Sequence, residues 1–385
     1  MAAKLINKEK EFVMQTYKRQ NLIVEKGKGS YVFDNKGKKY IDLVSGIACC
    51  TLGHGNNDFA DNVKKQILKI TNPTNLYYSE QQVILAEKLA KLSGLKKCFF
   101  SNSGAEAIEA AIKLARKHTK KTEIICMKNG FHGRTFGSLA ATGKESIKKS
   151  FKPMLQGFKH VEYGNVQQVK KAISKKTAAI LVEPIQGEAG IIIPPKNYLK
   201  ELRKICNKKN ILLILDEVQT GCGRTGKFFA YQHEKIHPDI VTLAKGLANG
   251  LPIGVTIASE KVAKSFVVGD HGSTFGGNPV SCSAANFTIG YIISKKLIDN
   301  AKKQGNYFIK KLNEIDKNIV KEVRGKGLMI AIEIKKDANK SVKNCLSKGL
   351  IINSTSKYVI RLLPPLIINK QIIDKSIQIL KKELK

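Results

Sequence analysis

Three short runs, 124–127, 178–182 and 211–215, do most to constrain the fold, because each is apolar throughout. A strand that alternates polar and apolar residues keeps one face in water, whereas a run with no polar position must be covered on both faces. Amphipathic stretches such as 195–208 lie between these runs, and their spacing predicts helices. Buried strands alternating with amphipathic helices predict an α/β fold with a mostly parallel sheet covered by helices. Two regions depart from this rhythm. In 26–42, the turn signals Gly27-Lys28-Gly29 and Asn35-Lys36-Gly37 flank Tyr31-Val32-Phe33, which predicts short strands. After Pro279 comes a long helical stretch, then strand-like runs at 329–334 and 359–363, then a terminal helix. The expected organisation is a large domain over 55–278 and a small α+β domain assembled from 1–54 and 279–385.

The chain has 385 residues and a formal charge of +36. A charge of this size raises a nucleic-acid role. The cations are nonetheless spread along the whole chain, few aromatics sit among them, and nearly all are lysine. This distribution reads as a solvated surface, with no specific nucleic-acid partner expected. The few arginines (Arg19, Arg116, Arg134, Arg203, Arg224, Arg324 and Arg361) are therefore informative, because a bidentate grip on a carboxylate needs the guanidinium fork. No run approaches the roughly 20 apolar residues of a membrane span. Residues 1–14 are charged and lack the apolar core of a secretory leader. The Asn-x-Ser/Thr matches at Asn286 and Asn353 carry no weight in a chain not expected to be secreted. Eight dispersed cysteines without a Cys-x-x-Cys pair predict reduced thiols and a cytoplasmic protein.

Two motifs invite other functions. Gly221-Cys222-Gly223-Arg224-Thr225-Gly226 matches a dinucleotide fingerprint, but Asp216-Glu217 and three further residues separate it from the preceding strand, so a turn-rich loop is expected. His233-Glu234-Lys235-Ile236-His237 matches the zinc-protease helix. Pro238 follows at once and pushes the second histidine out of helical geometry. A zinc hydrolase using His233 and His237 is the alternative from a different class.

A stronger combination lies elsewhere. The apolar run 211–215 ends in Asp216, and a second strand-like run, 239–244, ends in Lys245 among the small residues Gly246, Ala248 and Gly250. Ligands of parallel sheets bind at the carboxyl ends of strands. Pyridoxal phosphate needs an aspartate at its pyridinium nitrogen and a lysine that holds it covalently. A helix-capping aspartate would look the same in isolation, and one lysine among so many means little; the pair carries the weight. Ser101-Asn102-Ser103-Gly104-Ala105 opens a helix, where exposed amides and the helix dipole favour a phosphate, although a plain serine cap has the same appearance. The glycine-rich stretch 271–279 offers a second phosphate contact through Thr274.

In this order the set resembles the class III aminotransferases, of the large fold type (fold type I) of pyridoxal-phosphate enzymes. The matching stretches are 103–107, 131–135, 182–188, 216–221, 244–246, 272–279 and 360–362, and the resemblance spans about 27 to about 366. It implies that Lys245 binds the cofactor and, once released, shuttles a proton between substrate and cofactor. Asp216 would keep the pyridine nitrogen protonated, Gln219 would contact the ring hydroxyl, and Phe131 and Val218 would lie on the two ring faces. Ser103, Gly104 and Ala105 would cradle the phosphate, and Thr274 would reach the phosphate of a neighbouring subunit in a homodimer. Arg134 and Arg361 would bind carboxylates, with Glu188 releasing Arg361 when 2-oxoglutarate or glutamate arrives. Within the family, Ser45-Gly46-Ile47-Ala48 is similar to enzymes acting on N-acetylornithine, with Ile47 where ornithine enzymes carry tyrosine. Gly55-Asn56-Asn57 departs from the usual pattern near the rim of the site, which keeps ornithine, succinylornithine and succinyl-diaminopimelate as alternative donors. The implied reaction is transfer of the δ-amino group of N-acetylornithine to 2-oxoglutarate, reversible, in arginine biosynthesis.

Overall fold

The computed structural model describes residues 2–384. After a helix at Ala2–Phe12, β1 (Val24–Lys28), β2 (Tyr31–Asp34) and β3 (Lys39–Asp42) form an antiparallel meander. Gly27 and Lys28 lie inside β1 rather than in the expected turn. The chain reverses at Gly29, whose φ of 59° suits a residue without Cβ.

The central sheet contains β4 (Lys97–Ser101), β5 (Glu123–Met127), β6 (Phe158–Val161), β7 (Thr177–Val182), β8 (Leu212–Asp216), β9 (Ile240–Leu243) and β10 (Gly254–Ala258), in the spatial order β4-β10-β9-β8-β7-β5-β6. From β6 through β5, β7 and β8 to β9 the neighbours are parallel, and β10 is antiparallel to both β9 and β4. Every residue of β7, β8, β9 and β10 is buried, as their apolar composition demands. The helix Gly104–Thr119 covers one face with Ala107, Ile108, Ala111, Ile112 and Ala115. Alanines let it approach closely enough for Thr256 Oγ1 on β10 to donate to the carbonyl of Ala107 at 2.7 Å.

Beyond this sheet lie β11 (Val320–Lys326), β12 (Met329–Ile334), β13 (Leu350–Ile351), β14 (Asn353–Ser356) and β15 (Val359–Leu362). Four of these form an antiparallel sheet in the order β11-β12-β15-β14, while β13 pairs in parallel with β3 and so ties the two ends of the chain together. The helix Pro279–Ser294 packs on the helices Asn57–Lys69 and Glu80–Ser93, through an edge contact between Phe59 and Phe287 and hydrogen bonds from Asn62 to Ser283 and from Asn286 to Gln81. Among the described residues, no helix is long and apolar enough to cross a membrane.

Candidate active site

Asp216 is the last residue of β8, and Lys245 follows the end of the adjacent parallel strand β9. Both side chains therefore reach the same sheet edge, where they line a cavity of about 390 Å³. Ser103, Gly104, Ala105, Phe131, Arg134, Glu188, Val218 and Gln219 line it as well. Lys245 opens a short 3-10 turn with φ at 43°, a left-handed conformation that non-glycine residues adopt mainly where the surroundings compel it.

The Asp216 carboxylate is held by three hydrogen bonds. Its Oδ1 accepts from the amide of Val218 at 3.0 Å and from Thr242 Oγ1 at 3.4 Å, and its Oδ2 pairs with His132 Nδ1 at 2.7 Å. Burial of His132 favours the neutral ring, yet the hydrogen bond and charge of Asp216, with Glu183 behind, raise its affinity for a proton. Glu183 holds two loops at once: Oε1 accepts from the Phe131 amide at 2.9 Å and Oε2 from the Gly187 amide at 3.0 Å. Burial pushes its carboxyl up to about 7. His132 and Glu183 were not singled out from sequence. Their partners lie 84 and 52 residues away along the chain, and only the fold brings them to the site.

The helix Gly104–Thr119 points its N-terminus into the cavity. Ser103 caps it by accepting from the Glu106 amide at 3.2 Å, which leaves the Gly104 and Ala105 amides without an intrahelical acceptor. A Cβ on Gly104 would stand 2.9 Å from Val218 Cγ1, so only glycine lets this turn sit against the wall. On the opposite wall, Glu188 Oε1 accepts from Arg361 Nη1 at 2.5 Å and from Gln219 Nε2 at 3.1 Å. Burial works against the ionised form of Glu188, but the charges of Arg361 and Lys245 outweigh it and hold the carboxyl below its ordinary range. Arg361 is 1% exposed and lies behind Glu188 rather than on the cavity surface. Arg134 is exposed at the mouth, its guanidinium 5.8 Å from the Phe131 ring centre.

A model of the family described as "Aminotransferase class-III" matches residues 13–384. The chain belongs to the class III aminotransferases. The acetylornithine aminotransferase of Methanocaldococcus jannaschii is 48% identical over 96% of this chain and 95% of its own length. That of Aquifex aeolicus is 44% identical over 97% and 100%. Among solved structures, the ornithine aminotransferase of Toxoplasma gondii superposes with a TM-score of 0.96 at 30% identity, covering 100% of this chain and 95% of that one. The acetylornithine aminotransferase of Elizabethkingia anophelis gives 0.89 at 31% identity, covering 100% and 98%. The aminotransferase thus has the α/β architecture of fold type I pyridoxal-phosphate enzymes expected from its sequence.

Two of the candidate residues lie off the cavity. Arg361 reaches it through Glu188, and Thr274 is exposed in the loop before Pro279, where its carbonyl accepts from Asn72 Nδ2 at 3.2 Å. Cys49 lines the cavity although nothing in the sequence marked it, whereas Ile47 and residues 55–57 do not. The segment 221–226 is a series of turns, as its spacing from the strand predicted. No helix spans 233–237: His233 ends a 3-10 turn and binds Thr225, while His237 faces Gly94 in a separate cleft. Among the described residues, no group of three His, Cys, Asp or Glu side chains is positioned to hold a metal. His233 and His237 line different clefts, and the family match does not favour the zinc-hydrolase alternative.

Proposed function

We propose that this aminotransferase moves the δ-amino group of N-acetylornithine to 2-oxoglutarate, giving the semialdehyde and glutamate, with pyridoxal phosphate held in the cavity described above. The observation that carries the proposal is the convergence of Lys245, Asp216 and the free amides at Gly104 and Ala105 on one cavity backed by the Glu188–Arg361 pair. The donor is supported by the names of the curated relatives.

The residues fit the cofactor. Two unpaired amides at a helix N-terminus suit its phosphate. A buried carboxylate held by three hydrogen bonds, with an acceptor position still open, suits a protonated ring nitrogen. When bound, pyridoxal phosphate supplies an electron sink for the carbon that loses a proton. Asp216 would hold a proton at the ring nitrogen, and His132 keeps that carboxylate oriented. Phe131 and Val218, which line the cavity, would confine the ring, and Gln219 would contact its hydroxyl. Lys245 Nζ would be the group that holds the cofactor, and as a free amine it would take a proton from the substrate carbon that bears the amine. Arg134 at the mouth binds the donor's carboxylate. Glu188 neutralises Arg361 while the donor is present and turns aside when a dicarboxylate needs the guanidinium.

Thr274 completes the phosphate site of a second copy in a homodimer. Exposed Leu76, Tyr77, Tyr78 and Phe275 around its loop support burial against such a copy. We infer that 55–278, joined by the helix Pro279–Ser294, forms the cofactor-binding body, with the remaining segments as the smaller unit. The enzyme is assigned to the cytoplasm and to arginine biosynthesis.

An absorbance titration tests this. The purified protein with pyridoxal phosphate is expected to show a visible band that N-acetylornithine removes, and Lys245→Ala to show no response. A band that responds only to ornithine would overturn the donor assignment. A protein that takes up no pyridoxal phosphate would overturn the whole proposal.

A further inference from the structure

Strand register puts two arginines on one face of the C-terminal sheet. Arg324 on β11 stands opposite Ala331 on β12, and Ala331 stands opposite Arg361 on β15. Residues directly opposite across antiparallel strands share a face, so the three form a row with a methyl group between two guanidinium groups. The loop 187–191, which carries Glu188, lies across this row. Its ends are closed by paired backbone hydrogen bonds between Gln186 and Ile192 at 3.0 and 3.1 Å. At one end of the loop Arg361 Nη1 donates to Glu188 and, at 3.4 Å, to the carbonyl of Gly187. At the other end Arg324 Nη2 donates to the carbonyl of Gly190 at 2.9 Å, and Nε to those of Gly190 at 3.0 Å and Ile191 at 3.2 Å. Ile191 packs in one buried cluster with Ala331. Its φ is 55°, a left-handed conformation that a β-branched residue holds only under external constraint. Glu333 and Glu322 fix Arg324 Nη1 at 2.8 and 2.6 Å.

We propose that Arg324 is a positioning residue for the change of partner at Arg361. The inference rests on the reading of Glu188 as a switch given above. While Glu188 is paired with Arg361, an arginine holds the loop at each end, with Glu183 at the Gly187 amide and Gln219 at Glu188 beside them. When Glu188 leaves to admit a dicarboxylate, Arg361 turns to the substrate; Glu183 still holds the near end of the loop at Gly187, and Arg324 holds the far end at Gly190 and Ile191. Removing Arg324 therefore harms the acceptor half of the cycle and spares the donor half.

The test uses the holoenzyme and follows each half-reaction by absorbance, with Arg324→Gln, Arg324→Lys, Glu333→Gln and Glu188→Ala. Arg324→Gln is expected to raise the half-saturating concentration of 2-oxoglutarate about ten-fold, the loss of a charge-assisted hydrogen bond. That for N-acetylornithine is expected to stay within about two-fold. Arg324→Lys should recover part of the loss. If Arg324→Gln fails to fold, Glu333→Gln, which frees one side of the guanidinium, should act in the same direction by less. Equal effects on both halves, or none on either, in a variant with an unchanged melting temperature would overturn the proposal. Glu188→Ala separates the two readings. If it too leaves the acceptor half no different from the donor half, the switch itself is wrong. If it alters the acceptor half and Arg324→Gln does not, only the role of Arg324 falls.

Discussion

Glu217, beside Asp216, provides a quantitative check on the charge balance beneath the site. Its side chain is wholly buried, with Oε1 accepting from the Tyr231 amide at 2.9 Å and Oε2 from Thr220 Oγ1 at 2.5 Å. Burial, reinforced by the charge of Asp216 and opposed by these hydrogen bonds, pushes the carboxyl from 4.5 up to about 7. Ionising it in the folded protein therefore costs about 3 kcal/mol more than in the unfolded chain. A raised carboxyl makes the folded state hold its proton longer than the unfolded state does. Its contribution is complete below about pH 4.5 and is lost as the pH climbs through about 7. Glu217→Gln keeps an acceptor for Tyr231 and lets the Thr220 hydroxyl reverse its hydrogen bond, while removing the ionisation. Urea unfolding at a fixed protein concentration should show the variant gaining up to about 3 kcal/mol over wild type at pH 8.5 and gaining nothing at pH 4.5. The wild-type decline between these values should flatten only in part, because Glu183 is also raised to about 7. A variant that differs from wild type by the same amount at both pH values would refute the claim that Glu217 is buried at the cost of its charge.

Three further outcomes follow from the geometry. His132→Phe deletes the 2.7 Å hydrogen bond to Asp216, so pyridoxal phosphate titrated into apoprotein should bind roughly ten- to hundred-fold more weakly; unchanged affinity would mean that His132 does not orient Asp216. Gly104→Ala drives a methyl group to 2.9 Å from Val218 and pushes that side chain toward the ring position, so cofactor affinity should fall about ten-fold with little change in the melting temperature. Arg361→Lys removes the fork from a buried site and should raise the half-saturating 2-oxoglutarate concentration at least about ten-fold while sparing N-acetylornithine, read from separate half-reactions.

What was legible in the sequence follows from the range of the forces involved. The strands 123–127, 177–182 and 212–216 were visible because burial on both faces leaves their stretches 124–127, 178–182 and 212–215 without a polar residue. Asp216 and Lys245 stood out because each ends such a run. The direction of β10 was not read, although its cause is local. Only residues 244–253 separate it from β9, too few for the crossover that a parallel neighbour needs. His132, Glu183 and the Arg324 row could not be read. Each matters through a partner far along the chain, as with Arg361 and Glu188 at a separation of 173 residues, and no local pattern encodes that pairing.

The division of labour between arginine and lysine runs through the whole fold. Lysine serves where a cation stays in water, as in the exposed pairs of Lys91 with Glu87 and Lys204 with Glu201. Where a cation is buried, the chain mostly uses arginine and spends several N–H groups on carbonyls or carboxylates. Arg224, 2% exposed, donates to the carbonyls of Leu328 and Pro364, and Arg203 donates to Asp239 and to the carbonyl of His237. A guanidinium stays charged when desolvated and offers donors in a fixed plane, so a buried one can reach several acceptors at once. An ammonium gives up its proton more readily on desolvation, which is a defect in a structural cation and an asset in a group that must exchange one. Lys245 is a half-buried lysine at a catalytic cavity in a chain that fills most such positions with arginine. Its place there fits the proposed chemistry, which needs a primary amine that a guanidinium cannot replace.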